Sequence, residues 1–278
     1  MIILHYIGDE TLATDRMAAS SIDFVMMNPP FYASEAEMLE SAKTKQRPPN
    51  SACTGAPVEM ICPGGEVAFV KKLIDDSTEA RVKEQVQWFT SMLGKLASVG
   101  IVVEALKEKG CGNWAVTEFV QGQKTRRWAV GWSWGDRRPA MAVARGAEGP
   151  VVEKKWLPFP SEFGFEVQSE GGRMEEVGER INREVEALDV KWQWKKVIAQ
   201  GLGVAERDVW SRKARRRKGD VSADAMDEGG EAALVFKISL SQSTGDGRVS
   251  ANVRWLQGKD SVLFESFCGW LKRKVENR

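Results

Sequence analysis

The sequence predicts an α/β chain in which a mostly parallel sheet ends in an antiparallel hairpin, followed by a smaller α+β domain. Three observations predict it. A short apolar run, Ile22-Asp-Phe-Val-Met-Met27, stops abruptly at two prolines. Apolar runs and helical stripes then alternate as far as Trp134, the pattern of strands joined by packed helices. Finally, Gln121-Gly-Gln-Lys124 joins two β-rich runs with no room for a crossover helix, so they pair as a hairpin.

In order, residues 22–27 read as a buried parallel strand, ended by Pro29 and Pro30, which lack backbone donors. Residues 65–77 put Val67, Val70, Leu73 and Ile74 on one helical face, with Pro63-Gly-Gly65 as the entry turn. A strand over 86–93 and a helix over 98–109, with Val102, Ala105 and Leu106 inward, come next. The hairpin strands are 114–121 and 125–134. In the second, Trp128, Val130, Trp132 and Trp134 share one face, read as core against a helix, while Ala129, Gly131 and Ser133 share a face that admits something close.

Residues 1–135 form one domain, 136–160 a linker rich in Arg, Glu, Gly and Pro, and 161–278 a second domain. In that second domain Met174, Val177, Ile181, Val185 and Leu188 make a helical stripe. Residues 234–240 and 249–256 read as paired strands across Gly245-Asp-Gly247, and 262–275 as a closing helix with Leu263, Phe267, Trp270 and Leu271 on one side. Seven of the twelve residues from 207 to 218 are basic, with Trp210 among them.

Composition excludes several classes. The 278 residues carry a formal charge of +1, and a split after Ala140 leaves −1 and +2, so only local clusters of charge could attract a polyanion. No apolar stretch approaches the roughly 20 residues of a membrane span, and residues 1–20 lack a charged start followed by an apolar block. Cys53, Cys62, Cys111 and Cys268 show no CxxC spacing, and His5 is the lone histidine, so no metal site is expected and the thiols read as reduced and structural.

The motif that carries chemistry is Asn28-Pro-Pro-Phe31. Following a buried parallel strand, it falls at the carboxyl edge of the sheet, where open α/β folds bind ligands. Two prolines hold the backbone rigid. The Asn28 side-chain oxygen and the Pro29 carbonyl can then converge on an exocyclic NH2 while Phe31 stacks on its ring. Methyl transfer from a sulfonium needs such an aligned nitrogen lone pair rather than a strong base, which matches the lack of a His, Cys or Lys constellation.

Asn28 to Tyr32, Arg47-Pro-Pro-Asn-Ser51 with Thr54-Gly55, Gly64 to Val70, Met92 to Lys95, Thr117 to Gly122 and Arg126 to Val130 together resemble the methyltransferase-like 16 family. The resemblance implies a class I S-adenosylmethionine-dependent fold, of which this chain carries the C-terminal half, and methylation of N6 of an unpaired adenine in structured RNA. U6 small nuclear RNA and, in bacterial relatives, ribosomal RNA are the substrates it implies, with the nucleus as location and the cytoplasm as alternative. By the same resemblance Asn28, Pro29, Pro30 and Phe31 hold the adenine, Asn28 borders the cofactor, and Arg47, the 48–57 loop, Lys124 and Arg127 lie near RNA. The second half is similar to the family's vertebrate conserved region by pattern, and there Arg212, Lys213, Arg215, Arg216 and Arg217 are expected to contact RNA.

The family's glycine-rich cofactor turn would precede the Asn28 strand, yet Gly8 is the lone glycine before it. The expectation is therefore an N-terminally truncated form without detectable methyl transfer, or a non-catalytic RNA-binding remnant. Methylation of a small amine is an alternative, and protein glutamine methylation a weaker one. The same absence predicts residues 22–27 as an uncovered edge strand that makes the first domain poorly soluble, whereas 160–278 folds on its own.

Overall fold

The computed structural model describes residues 21–30, 32–43, 60–121, 125–147, 152–169, 172–217, 232–243 and 247–276. They fall into two units, one of Met1–Gly135 with Ala142–Pro158, the other of Asp136–Met141 with Phe159–Arg278. The stretch expected as a linker thus contributes to both. Val152 and Leu157 are buried in the first core, and the Trp114 indole donates to the Trp156 carbonyl at 2.9 Å.

In the first unit, strands β1 (Ile22–Met27), β2 (Val86–Leu93), β3 (Trp114–Gln121) and β4 (Thr125–Trp132) form a sheet of order β1-β2-β4-β3. Among the described residues β1 and β2 are parallel, whereas β2–β4 and β4–β3 are antiparallel, because β4 returns between β2 and its own hairpin partner. The sheet is mixed rather than mostly parallel. Helices α1 (Glu35–Lys43), α2 (Gly65–Asp76), α3 (Ala80–Gln85) and α4 (Leu96–Glu108) accompany it. Phe69, Val70, Leu73 and Ile74 of α2 and Val99, Val102, Val103 and Leu106 of α4 bury against Val25, Met27, Phe89 and Leu93. Phe24 and Met26, on the other face of β1, are 40% and 44% exposed, and β1 is an edge of the described sheet.

The tryptophan stripe is core, as its period-two alternation predicts. Trp132 stacks on Phe89 at 5.6 Å, and the indoles of Trp132 and Trp134 both donate to Ser77 Oγ at 3.1 Å. On the opposite face, what comes close to Gly131 is Thr90, whose Cγ2 would lie 3.2 Å from an added Cβ.

The second unit is a five-stranded antiparallel sheet of order β5-β9-β8-β7-β6, from β5 (Glu162–Gln168), β6 (Lys191–Lys195), β7 (Gln200–Ala205), β8 (Leu234–Gln242) and β9 (Arg248–Gln257). The expected β8–β9 pair is present. The other three strands go beyond what the sequence pattern predicts. Helices α5 (Met174–Glu186) and α7 (Ser261–Glu276) cover one face with Val177, Ile181, Val185, Phe264, Phe267 and Leu271, all buried, and α6 (Arg212–Arg217) is a short basic helix. Among the described residues no helix is long and apolar enough to cross a membrane.

Candidate functional site at the carboxyl edge of the first sheet

β1 delivers Asn28 to the edge of the sheet. Its neighbours Met27, Pro29 and Pro30 are buried while Asn28 is exposed, so the carboxamide is the polar group presented there between two apolar anchors. The prolines end ladder pairing, and the chain is soon caught again: the Tyr32 amide donates to the Met60 carbonyl at 3.2 Å and the Cys62 amide to the Tyr32 carbonyl at 3.0 Å. α1 then starts on a capping arrangement. The Glu37 amide donates to Ser34 Oγ at 3.3 Å, and the Glu37 carboxylate reaches back to the Ala33 amide at 2.7 Å.

The segment after Cys62 is shaped by two successive left-handed glycines, Gly64 (φ 82°) and Gly65 (φ 65°), an arrangement side chains rarely tolerate. They turn the chain into α2 so that Glu66, 3% exposed, points into the protein. Its carboxylate accepts the Gly94 amide at 2.6 Å, the Lys95 amide at 3.1 Å and the Ser98 hydroxyl at 2.6 Å. Three donors satisfy the buried charge and fasten the β2–α4 loop to the start of α2. Lys95 Nζ in turn lies 2.7 Å from Glu37 Oε1. The hydrogen bond from Lys95, and then that from the Ala33 amide, hold the Glu37 carboxyl below its ordinary value, while Glu37 raises Lys95. Glu66 and the Glu37–Lys95 pair therefore tie the loop between β2 and α4 to the starts of α1 and α2.

Residues 12–136 match the model of a family described as RNA methyltransferase. The chain is 29% identical over 270 residues to the U6 small nuclear RNA (adenine-(43)-N(6))-methyltransferase of Schizosaccharomyces pombe, covering 96% of this chain and 64% of that protein. Over 114 residues it is 46% identical to the enzyme of the same name in Drosophila melanogaster, covering 40% of this chain and 36% of that protein. The chain thus spans less than two thirds of the length of either relative. Among solved structures, the hMettl16 catalytic domain in complex with MAT2A 3'UTR hairpin 1 is 36% identical with a TM-score of 0.40, covering 46% of this chain and 45% of that chain.

Within the matched segment, Asn28, Pro29 and Pro30 stand at the carboxyl edge of β1, and Phe31 lies outside the described residues. Arg47 with the 48–57 loop and Lys124 also lie outside them. Arg127 is half-buried on β4, opposite Phe119, and its Nη1 donates to the Arg126 carbonyl at 3.0 Å; Arg126 is ion-paired with Glu118 at 2.7 Å. In the second unit Arg212 and Arg216 are exposed on α6, whereas the side chains of Lys213, Arg215 and Arg217 lie outside the described residues. Trp210, beside that run, is 1% exposed and packs edge-on against Phe267 at 5.0 Å, so it is core.

Sequence reasoning missed Glu66 as the organiser of the loop beside this edge. The available signal was a carboxylate directly after two glycines at a helix start. For holding ligands, the described edge offers the Asn28 carboxamide, whose chemistry fits an amine; no group of three metal-ligating side chains occurs among the described residues. Among the described residues Cys62, Cys111 and Cys268 form no disulfide, and burial pushes the Cys268 thiol well up, so it stays protonated and unreactive.

Proposed function

We propose that the protein is an S-adenosylmethionine-dependent RNA adenine-N6 methyltransferase of the methyltransferase-like 16 type, and that this edge holds the adenine. The observation that carries it is the exposed Asn28 set between buried Met27 and buried Pro29 and Pro30, inside the matched segment. When bound, S-adenosylmethionine supplies an electrophilic methyl group. The Asn28 side-chain oxygen and the Pro29 carbonyl accept the two N6 hydrogens, which orients the nitrogen lone pair along the line of attack. Held at this edge, the cofactor would supply the methyl group to N6, and the surplus N6 proton would pass to solvent. Support for RNA as substrate comes from the names of the relatives and from the basic helix α6. U6 small nuclear RNA in the nucleus is the preferred substrate and place, with ribosomal RNA as the alternative.

A structured RNA hairpin with one unpaired adenine, titrated by filter binding between 50 and 200 mM salt and assayed for labelled methyl incorporation, tests the reading. The expected result is salt-sensitive binding; incorporation that Asn28→Ala abolishes while leaving affinity intact would support the adenine site and overturn the sequence-based expectation of no detectable methyl transfer. No binding would overturn the RNA partner. Incorporation unaffected by Asn28→Ala would overturn the site. Binding without incorporation favours the second reading, a non-catalytic RNA-binding protein, which the basic run of the second unit supports.

A further inference from the structure

β1 and β2 run parallel, in register from Ile22 opposite Val86 to Met27 opposite Ser91, so Asn28 leaves β1 at the same edge at which Gly94 and Lys95 leave β2. Lys95 makes two bonds there. Its amide donates to Glu66 Oε1 at 3.1 Å, and its ammonium lies 2.7 Å from Glu37 Oε1. The other Glu37 oxygen accepts the Ala33 amide at 2.7 Å. From Glu66 the path runs back along the entry turn of α2, where the Gly65 amide donates to the Cys62 carbonyl at 2.7 Å and the Cys62 amide to the Tyr32 carbonyl at 3.0 Å. Tyr32 and Ala33 are neighbours in the chain, so these bonds form a closed circuit that starts and ends just beyond Asn28-Pro-Pro-Phe31.

Two properties make the ammonium tie a matter of placement rather than of stability. The Lys95 side chain is 62% exposed, and an exposed ion pair adds little to folding free energy. Glu66 also holds the Lys95 backbone whatever the side chain is, because it bonds the amide. What the ammonium adds is a grip on Glu37, and through Glu37 on the Ala33 amide. Pro29 and Pro30 have fixed φ, so few torsions between Asn28 and Tyr32 can absorb a shift at that end. A displacement of Tyr32 and Ala33 therefore reaches the Pro29 carbonyl and the Asn28 carboxamide. Transfer to an oriented nitrogen tolerates little of it, since a misplacement of about 1 Å can cost about 100-fold in rate.

We propose that Lys95 is a positioning residue for the adenine: acting through Glu37, it holds the segment that follows the Asn28 clamp so that both N6 hydrogens are accepted. The inference rests on the adenine reading above and assigns the alignment of that site to a residue that does not touch the base. Its test uses the full chain and a structured RNA hairpin whose one unpaired adenine carries isotope-labelled nitrogen at N6, and NMR then reads the clamp without any methyl transfer. With the wild type the two N6 hydrogens should give separate proton resonances, shifted downfield from those of the free hairpin. In Lys95→Gln, and equally in Glu37→Gln, they should return to the free position, while affinity, which phosphate contacts dominate, stays within about twofold. Lys95→Arg, which keeps a cation within reach of Glu37, should keep the separate resonances. Separate resonances retained in Lys95→Gln overturn this inference alone, and so does their loss in Lys95→Arg. A wild type that binds the hairpin with unshifted N6 resonances overturns the adenine site and this inference together, and one that does not bind overturns the RNA reading as well.

Discussion

Glu66 and Ser98, 32 positions apart, meet at 2.6 Å inside the first unit, and the same carboxylate also takes the amides of Gly94 and Lys95. A buried charge with three donors is a strong joint, because every donor is left stranded if the charge is removed. Glu66→Gln keeps the shape but turns one acceptor into a donor facing an amide. The expected loss is about 3 kcal/mol, read as a lowered urea midpoint. A change below about 0.5 kcal/mol would show that the joint does not hold the β2–α4 loop.

Ser77 is a second joint, built the other way round. Its hydroxyl donates to the Ile74 carbonyl at 2.7 Å and accepts from both Trp132 and Trp134. Ser77→Ala should cost about 2 kcal/mol by stranding the buried Trp132 indole. Trp128 offers the contrast, since its indole nitrogen is buried with no partner. Trp128→Phe removes that donor and should cost less than Ser77→Ala despite deleting more atoms. Chemical unfolding of the two variants side by side checks the order.

Gly64 tests the turn. At φ 82° an added Cβ would lie 2.7 Å from the Ala68 Cβ, so Gly64→Ala meets both backbone strain and a clash. The expected destabilisation is about 2 kcal/mol. Gly110→Ala, also left-handed but with nothing within 4 Å, should cost only the strain, about 1 kcal/mol. Thermal unfolding of both variants reads the difference.

The Glu37–Lys95 pair gives a pH prediction. A carboxyl held below its ordinary 4.5 contributes fully above that value and loses its contribution as pH falls through the depressed one. An ammonium held above 10.5 contributes below that value and fails as pH rises through the elevated one. The clasp on α1 is thus complete between about pH 4.5 and 10.5. A carbon-detected NMR titration of Glu37 should show a midpoint below 4.5 that returns toward it in Lys95→Gln, and an unshifted wild-type midpoint would refute the pairing.

β1 to β4 were legible because their apolar periods are interrupted by residues with one physical meaning, Pro29 and Pro30 after β1 and Gly122 between β3 and β4. β7 was hidden by its own glycines. Gly201 and Gly203 interrupt its apolar pattern, yet they are there because the rings of Trp192 and Phe236 occupy the space where side chains would stand. β6 alternates Lys191, Trp192, Gln193, Trp194 and Lys195, a period of two too short to stand out beside so many charges. Near the site, the Asn28 edge could be read from the strand before it. The two glycines before Glu66 mark it, but its partners could not be read, because its donors come from a loop 28 residues downstream.

The order β1-β2-β4-β3 carries a cost in time. β3 and β4 are hairpin neighbours and can pair as soon as both leave the ribosome, but β1 takes its described partner only when Leu93 has been made. At ordinary synthesis rates the interval from Met27 to Leu93 is roughly 3 to 13 s. β2 must then leave a place for β4 on its other side. The strand that leads into Asn28 is therefore translated early and gains that partner late, with Phe24 and Met26 bare meanwhile. A nascent chain stalled before residue 86 should be the form that holdase chaperones retain.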